Sequence, residues 1–196
     1  MAMTTLRCTV CGIDELAAHR AAGVTHLLSI LDPDWPAPEV LAAYDACRRL
    51  ELRFHDIIDP QPGRVAPEPL NVEQLLAFGR QMGPEAHLLV HCHAGVSRST
   101  AAAALILLAR QPESPAAAAL DAVLRLRPKA WPNLRILELG DALLGRGGEI
   151  LEAAARLYRK ALARDPTLAI AMTLNGRGRE VACAARRLRR RSAQRS

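Results

Sequence analysis

Nine consecutive residues hold most of the chemistry this sequence can do: His91, Cys92, His93, Ala94, Gly95, Val96, Ser97, Arg98 and Ser99. A cysteine and an arginine separated by five residues, with a glycine inside, follow a short apolar run and precede an Ala/Leu-rich one. The segment therefore reads as a loop joining a buried strand to a helix. Such a loop can curl so that successive backbone N–H groups point at one centre, a nest for a tetrahedral dianion. Gly95 permits the torsions that a curl needs. The helix opening near Arg98 aims its positive end at the same point, and Arg98 offers a planar fork of donors to two oxygens of the anion. His93, Ala94, Gly95, Val96, Ser97 and Arg98 are thus the expected phosphate-binding set. A thiolate sees the same donors and the same dipole as a bound anion, so Cys92 is a candidate nucleophile. Ser99 is placed to donate a hydrogen bond to it and to help it leave. The competing reading of Cys92, a buried structural thiol at a strand end, does not account for the arginine and serine beside it.

His-Cys-x5-Arg followed by Ser resembles the signature of the cysteine-dependent protein tyrosine phosphatases. The version HCHAGVSRS is most similar to the dual-specificity branch, including small bacterial proteins of that type. The resemblance spans residues 5 to 147. It is specific at the loop and generic elsewhere, with RPKAWPN and DALLGRGG more weakly similar to closing helices. It implies an α/β fold with a central mixed, mostly parallel sheet flanked by helices, no metal or cofactor, and a two-step reaction through a phosphocysteine. It also implies a general acid, an aspartate on a mobile loop roughly 30 to 40 residues before the cysteine, because an alkoxide or phenolate leaves poorly unless protonated. Asp56 and Asp59 lie 36 and 33 residues upstream. Asp56 matches the order of residues, so it is preferred, with Asp59 the alternative acid; either can instead be an ordinary turn residue. Asp32 and Asp34, further upstream, read as turn residues. His91 is part of the pattern, where it hydrogen-bonds structurally and raises the acidity of the thiol. His93 stands where relatives tune substrate choice, or else faces solvent.

The elements that position these residues alternate as in an α/β domain. Ala22 to Leu31 reads as a strand stopped by the Pro-rich segment Asp32 to Pro38, Glu39 to Arg49 as a helix, and Glu51 to Ile58 as a second strand. Residues 59 to 69 carry too many prolines for anything but a surface loop. Asn71 can cap a helix to about Met82. His87 to His91 is a short strand leading into the loop. Further helices are expected from Ser114 and Pro115 to Leu126, from Trp131, Pro132 and Asn133 through Leu143, and from Glu149 to Met172 with a break at Asp165 and Pro166. This divides the chain into a phosphatase-like domain (5 to 147), a helical extension (148 to 175) and an Arg-rich tail (176 to 196).

The 196 residues are half apolar but only 3% aromatic, which excludes a disordered or collagen-like chain and requires a core of Ala, Leu, Val and Ile. The longest uncharged apolar run, Ala101 to Ala109, is about half the ~20 residues a bilayer span requires. Met1 to Val10 lacks the pattern of a secretory signal, so the expected address is the cytoplasm, with the five cysteines as thiols. Cys8 and Cys11 form a CxxC without a second pair, which does not make a zinc site. Cys47 could in principle trap an oxidised nucleophile, but a core thiol is the simpler reading. The formal charge of +6 arises in the tail, where eight arginines stand against the single acid Glu180. The tail reads as a solvated, flexible terminus whose loss should leave small-substrate activity nearly unchanged, or as a salt-dependent contact for acidic lipid or nucleic acid.

Three functions compete. The first is hydrolysis of phosphomonoesters, either phosphoprotein (phosphotyrosine, with phosphoserine and phosphothreonine) or small molecule, including phosphoinositides. Lysine, common in the loops of phosphoinositide-directed relatives, does not occur between Cys92 and Arg98. The second is a recognition module that holds phosphate without turnover, whose usual mark is loss of the cysteine, arginine or acid; all three are present. The third is a sulfur-transfer enzyme, which the Cys-x5-Arg-Ser pattern with an upstream aspartate fits less well.

Overall fold

A computed structural model describes residues 6 to 185. Its centre is a four-stranded sheet in the order β1-β4-β2-β3, from Arg7–Cys11 (β1), His26–Leu31 (β2), Arg48–Arg53 (β3) and His87–His91 (β4). Every pairing is parallel, so the expected mixed character is absent from the described residues. The two inner strands are buried along their whole length, as a sheet covered on both faces requires.

Two strand readings change. β1 was not expected at all: Arg-Cys-Thr-Val-Cys has no continuous apolar run, and it becomes a strand by pairing along its length with β4, from Arg7 opposite His87 to Cys11 opposite His91. β3 runs over 48 to 53 rather than 51 to 58, in register with His26 to Leu31. The expected helix over 39 to 49 accordingly shrinks to a 3-10 turn, Glu39–Tyr44. With Ile13–His19, a second 3-10 turn, it covers one face of the sheet, where Leu16, Leu27, Leu41, Tyr44 and Leu89 pack together. The Tyr44 hydroxyl donates to the Leu16 carbonyl at 2.6 Å and ties the two turns.

The other face carries the main core. Helix α1 (Pro69–Arg80) starts two residues before Asn71, whose side chain reaches back to accept from the Glu68 N–H. Helix α2 (Arg98–Arg110) is buried through nearly all of its length, and its run Ala101 to Ala104 lets the sheet and helices come close. Around it stand α3 (Ala116–Leu126) and α4 (Leu134–Leu143). A Cβ on Gly140 would meet the Leu105 side chain at 2.3 Å, which fixes how closely α4 approaches α2.

The extension folds as α5 (Glu149–Arg164) and α6 (Thr167–Leu174), broken at Asp165 and Pro166 as expected. The tail reading needs correction where it can be seen. Gly178–Ala185 forms a seventh helix, α7, packed on α5 and α6, with Arg177 and Glu180 buried. The arginines at 186, 187, 189, 190, 191 and 195, on which the contact with acidic partners rests, lie outside the described residues.

Candidate active site

The cysteine and arginine loop emerges at the C-terminal end of β4, the usual place for ligands in an open parallel sheet. Its shape follows from where its carbonyls go. The His93 carbonyl accepts from the Ile13 N–H, the Ala94 and Gly95 carbonyls from the Arg127 guanidinium, and the Val96 carbonyl from the Trp131 N–H. The Ser97 carbonyl accepts from the N–H groups of Ala101 and Asn133. With all five carbonyls turned outward, the N–H groups of His93 to Ser97 donate to no described residue. Gly95 has φ +68°, and a Cβ there would lie 2.4 Å from the Cys11 carbonyl carbon, so both torsion and space demand glycine. Arg127 is in turn held by Glu15 at 2.8 Å.

Cys92 is buried at the base of this loop, its Sγ 3.2 Å from Ser99 Oγ. Arg98, only 3% exposed, donates through Nη1 to Asp32 Oδ1 and to the Phe54 carbonyl, each at 2.6 Å, while its buried Nε has no partner among the described residues. His91 bonds through Nε2 to Ser29 Oγ at 2.8 Å, and burial pushes its imidazole down to about 4, so it is neutral at neutral pH. His93 accepts from the Asp32 N–H and packs edge-on against Trp35, with ring centroids 4.5 Å apart. Burial, then the neighbouring Arg98 charge, holds its imidazole below the ordinary value.

Asp56 stands across a cleft of about 490 Å³ that is also lined by Cys92, His93, Ala94, Val96, Ser97 and Arg98. Its Oδ1 accepts from the Ser97 hydroxyl at 2.7 Å, Asn133 Nδ2 at 2.8 Å and Arg177 Nη1 at 3.2 Å. Asp59 does not line the cleft; it pairs with Arg179 at 2.7 Å, both side chains half exposed. Cys47 donates to the Val24 carbonyl within the smaller cluster under the opposite sheet face. Cys8 and Cys11 lie on opposite faces of β1, one against each core cluster; burial pushes both thiols up to about 12, and no metal-binding cluster occurs among the described residues.

Sequence reasoning missed several residues of the site. Asp32, read as a turn residue, ends β2 beside the loop and pairs with Arg98. Asn133, read only as a helix opener, caps α4 through Oδ1 and binds Asp56 through Nδ2. Arg127 shapes the loop, and Arg64, Gln61, Met172, Asn175 and Arg177 also line the cleft. One signal was available for the last of these: the single acid of the tail, Glu180, stands three residues after Arg177, the spacing of a helical ion pair.

A four-stranded parallel sheet flanked by helices, with β4 leading through a loop into a buried helix, matches the fold of solved tyrosine and dual-specificity phosphatases. The solved structures similar to it include human DUSP28 (TM-score 0.53, 20% identity, covering 71% of this chain and 94% of that one). Tk-PTP in its active form is also similar (0.51, 23% identity, 71% and 92%). So is PTPMT1, solved in complex with PI(5)P (0.53, 14% identity, 71% and 91%). No protein-family model and no curated protein matches the chain.

Proposed function

We propose that this protein is a cysteine-dependent phosphatase that hydrolyses phosphomonoesters through a phosphocysteine. The observation that carries the reading is the meeting, in one cleft, of Cys92, a loop whose N–H groups donate to no described residue, the Arg98 guanidinium and the Asp56 carboxyl. In the first step Cys92 Sγ attacks phosphorus, the P–O bond to the leaving group breaks, and Asp56 gives that oxygen its proton. The loop N–H groups and Arg98 hold the three remaining oxygens as charge builds on them. In the second step Asp56 takes a proton from a water that attacks phosphorus, the S–P bond breaks, and the Ser99 hydroxyl donates to the departing sulfur.

The preferred substrate class is phosphotyrosine, with phosphoserine and phosphothreonine, in protein. The test is hydrolysis of an aryl phosphate, phosphopeptides and phosphoinositides by the wild type and by Cys92→Ser. The variant should lose turnover yet still bind tungstate, because the cradle persists without the thiol. More than a few per cent residual turnover would remove Cys92 as nucleophile, and preferential turnover of phosphoinositides would replace the phosphoprotein reading.

A further inference from the structure

The C-terminal helices line the cleft with Met172 and Asn175 and bring one charged side chain into it. Arg177, in the turn between α6 and α7, is 121 residues from Asp56 in the chain and only 8% exposed. Its Nη1 donates to Asp56 Oδ1 at 3.2 Å and to Ser97 Oγ at 2.9 Å, and the Ser97 hydroxyl itself donates to Asp56 Oδ1 at 2.7 Å. The three groups close a triangle that ties the anion loop to the Asp56 segment. The guanidinium is fixed from behind by Glu180, fully buried, at 2.6 Å from Nη2. Glu180 is fixed in turn by the Trp131 indole N–H and, at 3.0 Å, by the Leu134 N–H. Burial opposes the charge on Arg177, but Asp56 and Glu180 more than offset it and hold the guanidinium charged.

This arrangement has a chemical use. A terminal carboxyl torsion is broad, and Asp56 lies on an irregular segment between β3 and α1 rather than on a strand or helix. Left alone, such a group would sample many orientations, whereas a proton donor must sit within hydrogen-bond reach of the leaving oxygen. Three donors on Oδ1 remove that freedom and leave Oδ2 with no protein partner among the described residues. Ser97 belongs to the loop and Asn133 caps α4, so both would be present in the domain without its extension. Arg177 is the donor that the extension adds.

We propose that Arg177 is a positioning residue of the active site: brought in by the C-terminal helices, it locks Asp56 Oδ1 and Ser97 together so that Oδ2 faces the leaving group. The proposal rests on Asp56 as the acid, and it makes the extension part of the catalytic unit rather than an appendage.

The test compares the full-length wild type, Asp56→Asn, Arg177→Ala, Arg177→Lys and the Asp56→Asn/Arg177→Ala double variant on p-nitrophenyl phosphate and on an alkyl phosphate. A mispositioned acid hurts the poor leaving group selectively. Arg177→Ala should lose about tenfold or more in kcat on the alkyl ester and much less on the nitrophenyl ester. Added to Asp56→Asn, it should cost almost nothing further, because its effect runs through the acid. Arg177→Ala also leaves Glu180 buried without its partner and can lower Tm. Arg177→Lys keeps a positive charge beside Glu180, but an ammonium cannot span Asp56, Ser97 and Glu180, so this variant should show the same selective loss in a folded protein. Equal losses on both esters in the Arg177 variants, or the same loss repeated in the Asp56→Asn background, would overturn the proposal. If Asp56→Asn shows the leaving-group dependence and neither Arg177 variant does, Arg177 alone loses its role. If Asp56→Asn shows none, the acid assignment falls and the positioning role falls with it.

Discussion

Arg98 Nη1 stands 2.6 Å from Asp32 Oδ1, an ion pair that joins the end of β2 to the start of α2. The carboxylate lies at the rim, 31% exposed, and the guanidinium is nearly enclosed. Asp32 therefore aims Arg98 from the side through Nη1. Removing it has two opposing effects on an anion: the fork loses its support, and a negative charge leaves the site. Binding should change little as the two offset, whereas turnover depends on orientation. Asp32→Ala is expected to lower kcat on an aryl phosphate by about tenfold, with tungstate affinity much less affected. An unchanged kcat would show that Arg98 needs no such partner.

Gly95 is the tightest point of the loop. A side chain there meets the backbone of Cys11 and Gly12 at 2.4 to 2.6 Å, and backbone cannot step aside as a flexible side chain can. The positive φ adds strain of ~1–3 kcal/mol for any other residue. Gly95→Ala should lower Tm and abolish the thermal stabilisation that tungstate gives the wild type, because the loop must leave β1 to relieve the clash. Retained tungstate stabilisation in this variant would mean that the curl survives without glycine.

How far the sequence could be read depends on how local each signal is. The strand, loop and helix around Cys92 were legible because an apolar run, a glycine and a long Ala/Leu segment follow one another within about 20 residues. The Asp165 and Pro166 break was legible for the same reason. β1 was not, since its strand character comes from pairing with β4, about 80 residues away, and not from its own five residues. The helix expected over 39 to 49 gave way to β3 because β2 offered its residues an edge to pair with. Arg177 and Glu180 were counted as tail charge, because composition cannot tell a solvated arginine from one buried between two carboxylates. Asp32 was dismissed on its distance along the chain, although adjacent strand ends bring it to the loop.

His91 should make the fold sensitive to acid. Its imidazole is fully buried and titrates at about 4, against 6.5 for an unhindered one, so between these values the unfolded chain binds a proton that the folded chain does not. Stability from this residue is complete above pH 6.5 and is lost as pH falls toward 4, by about 3 kcal/mol in all. His26, His87 and His93 are lowered in the same direction, chiefly by burial, while Glu180, raised by its burial, acts in the opposite sense. Comparing the wild type with His91→Asn cancels these other groups. Urea unfolding from pH 6.5 to 4.5 should show a steeper loss in the wild type, and parallel profiles would mean that His91 does not resist protonation.

The two candidate acids differ in what holds them. Asp56 shares the cleft with Cys92 and accepts from Ser97, Asn133 and Arg177, while Asp59 is half exposed and pairs with Arg179, which also meets Glu138. A surface pair of that kind is worth ~1 kcal/mol or less, so Asp59→Asn should cost little stability and little rate. An acid that protonates the leaving oxygen matters most when that oxygen leaves poorly. Asp56→Asn is therefore expected to lose on the order of 10²-fold or more in kcat on an alkyl phosphate, far less on an activated aryl ester, and to lose the basic limb of the pH profile. Measuring both variants across pH on both esters decides between them. Should Asp59→Asn alone show the selective loss and the flattened profile, the loop from Asp59 to Pro69 must carry that carboxylate over the cleft, breaking its pair with Arg179, and the acid is Asp59.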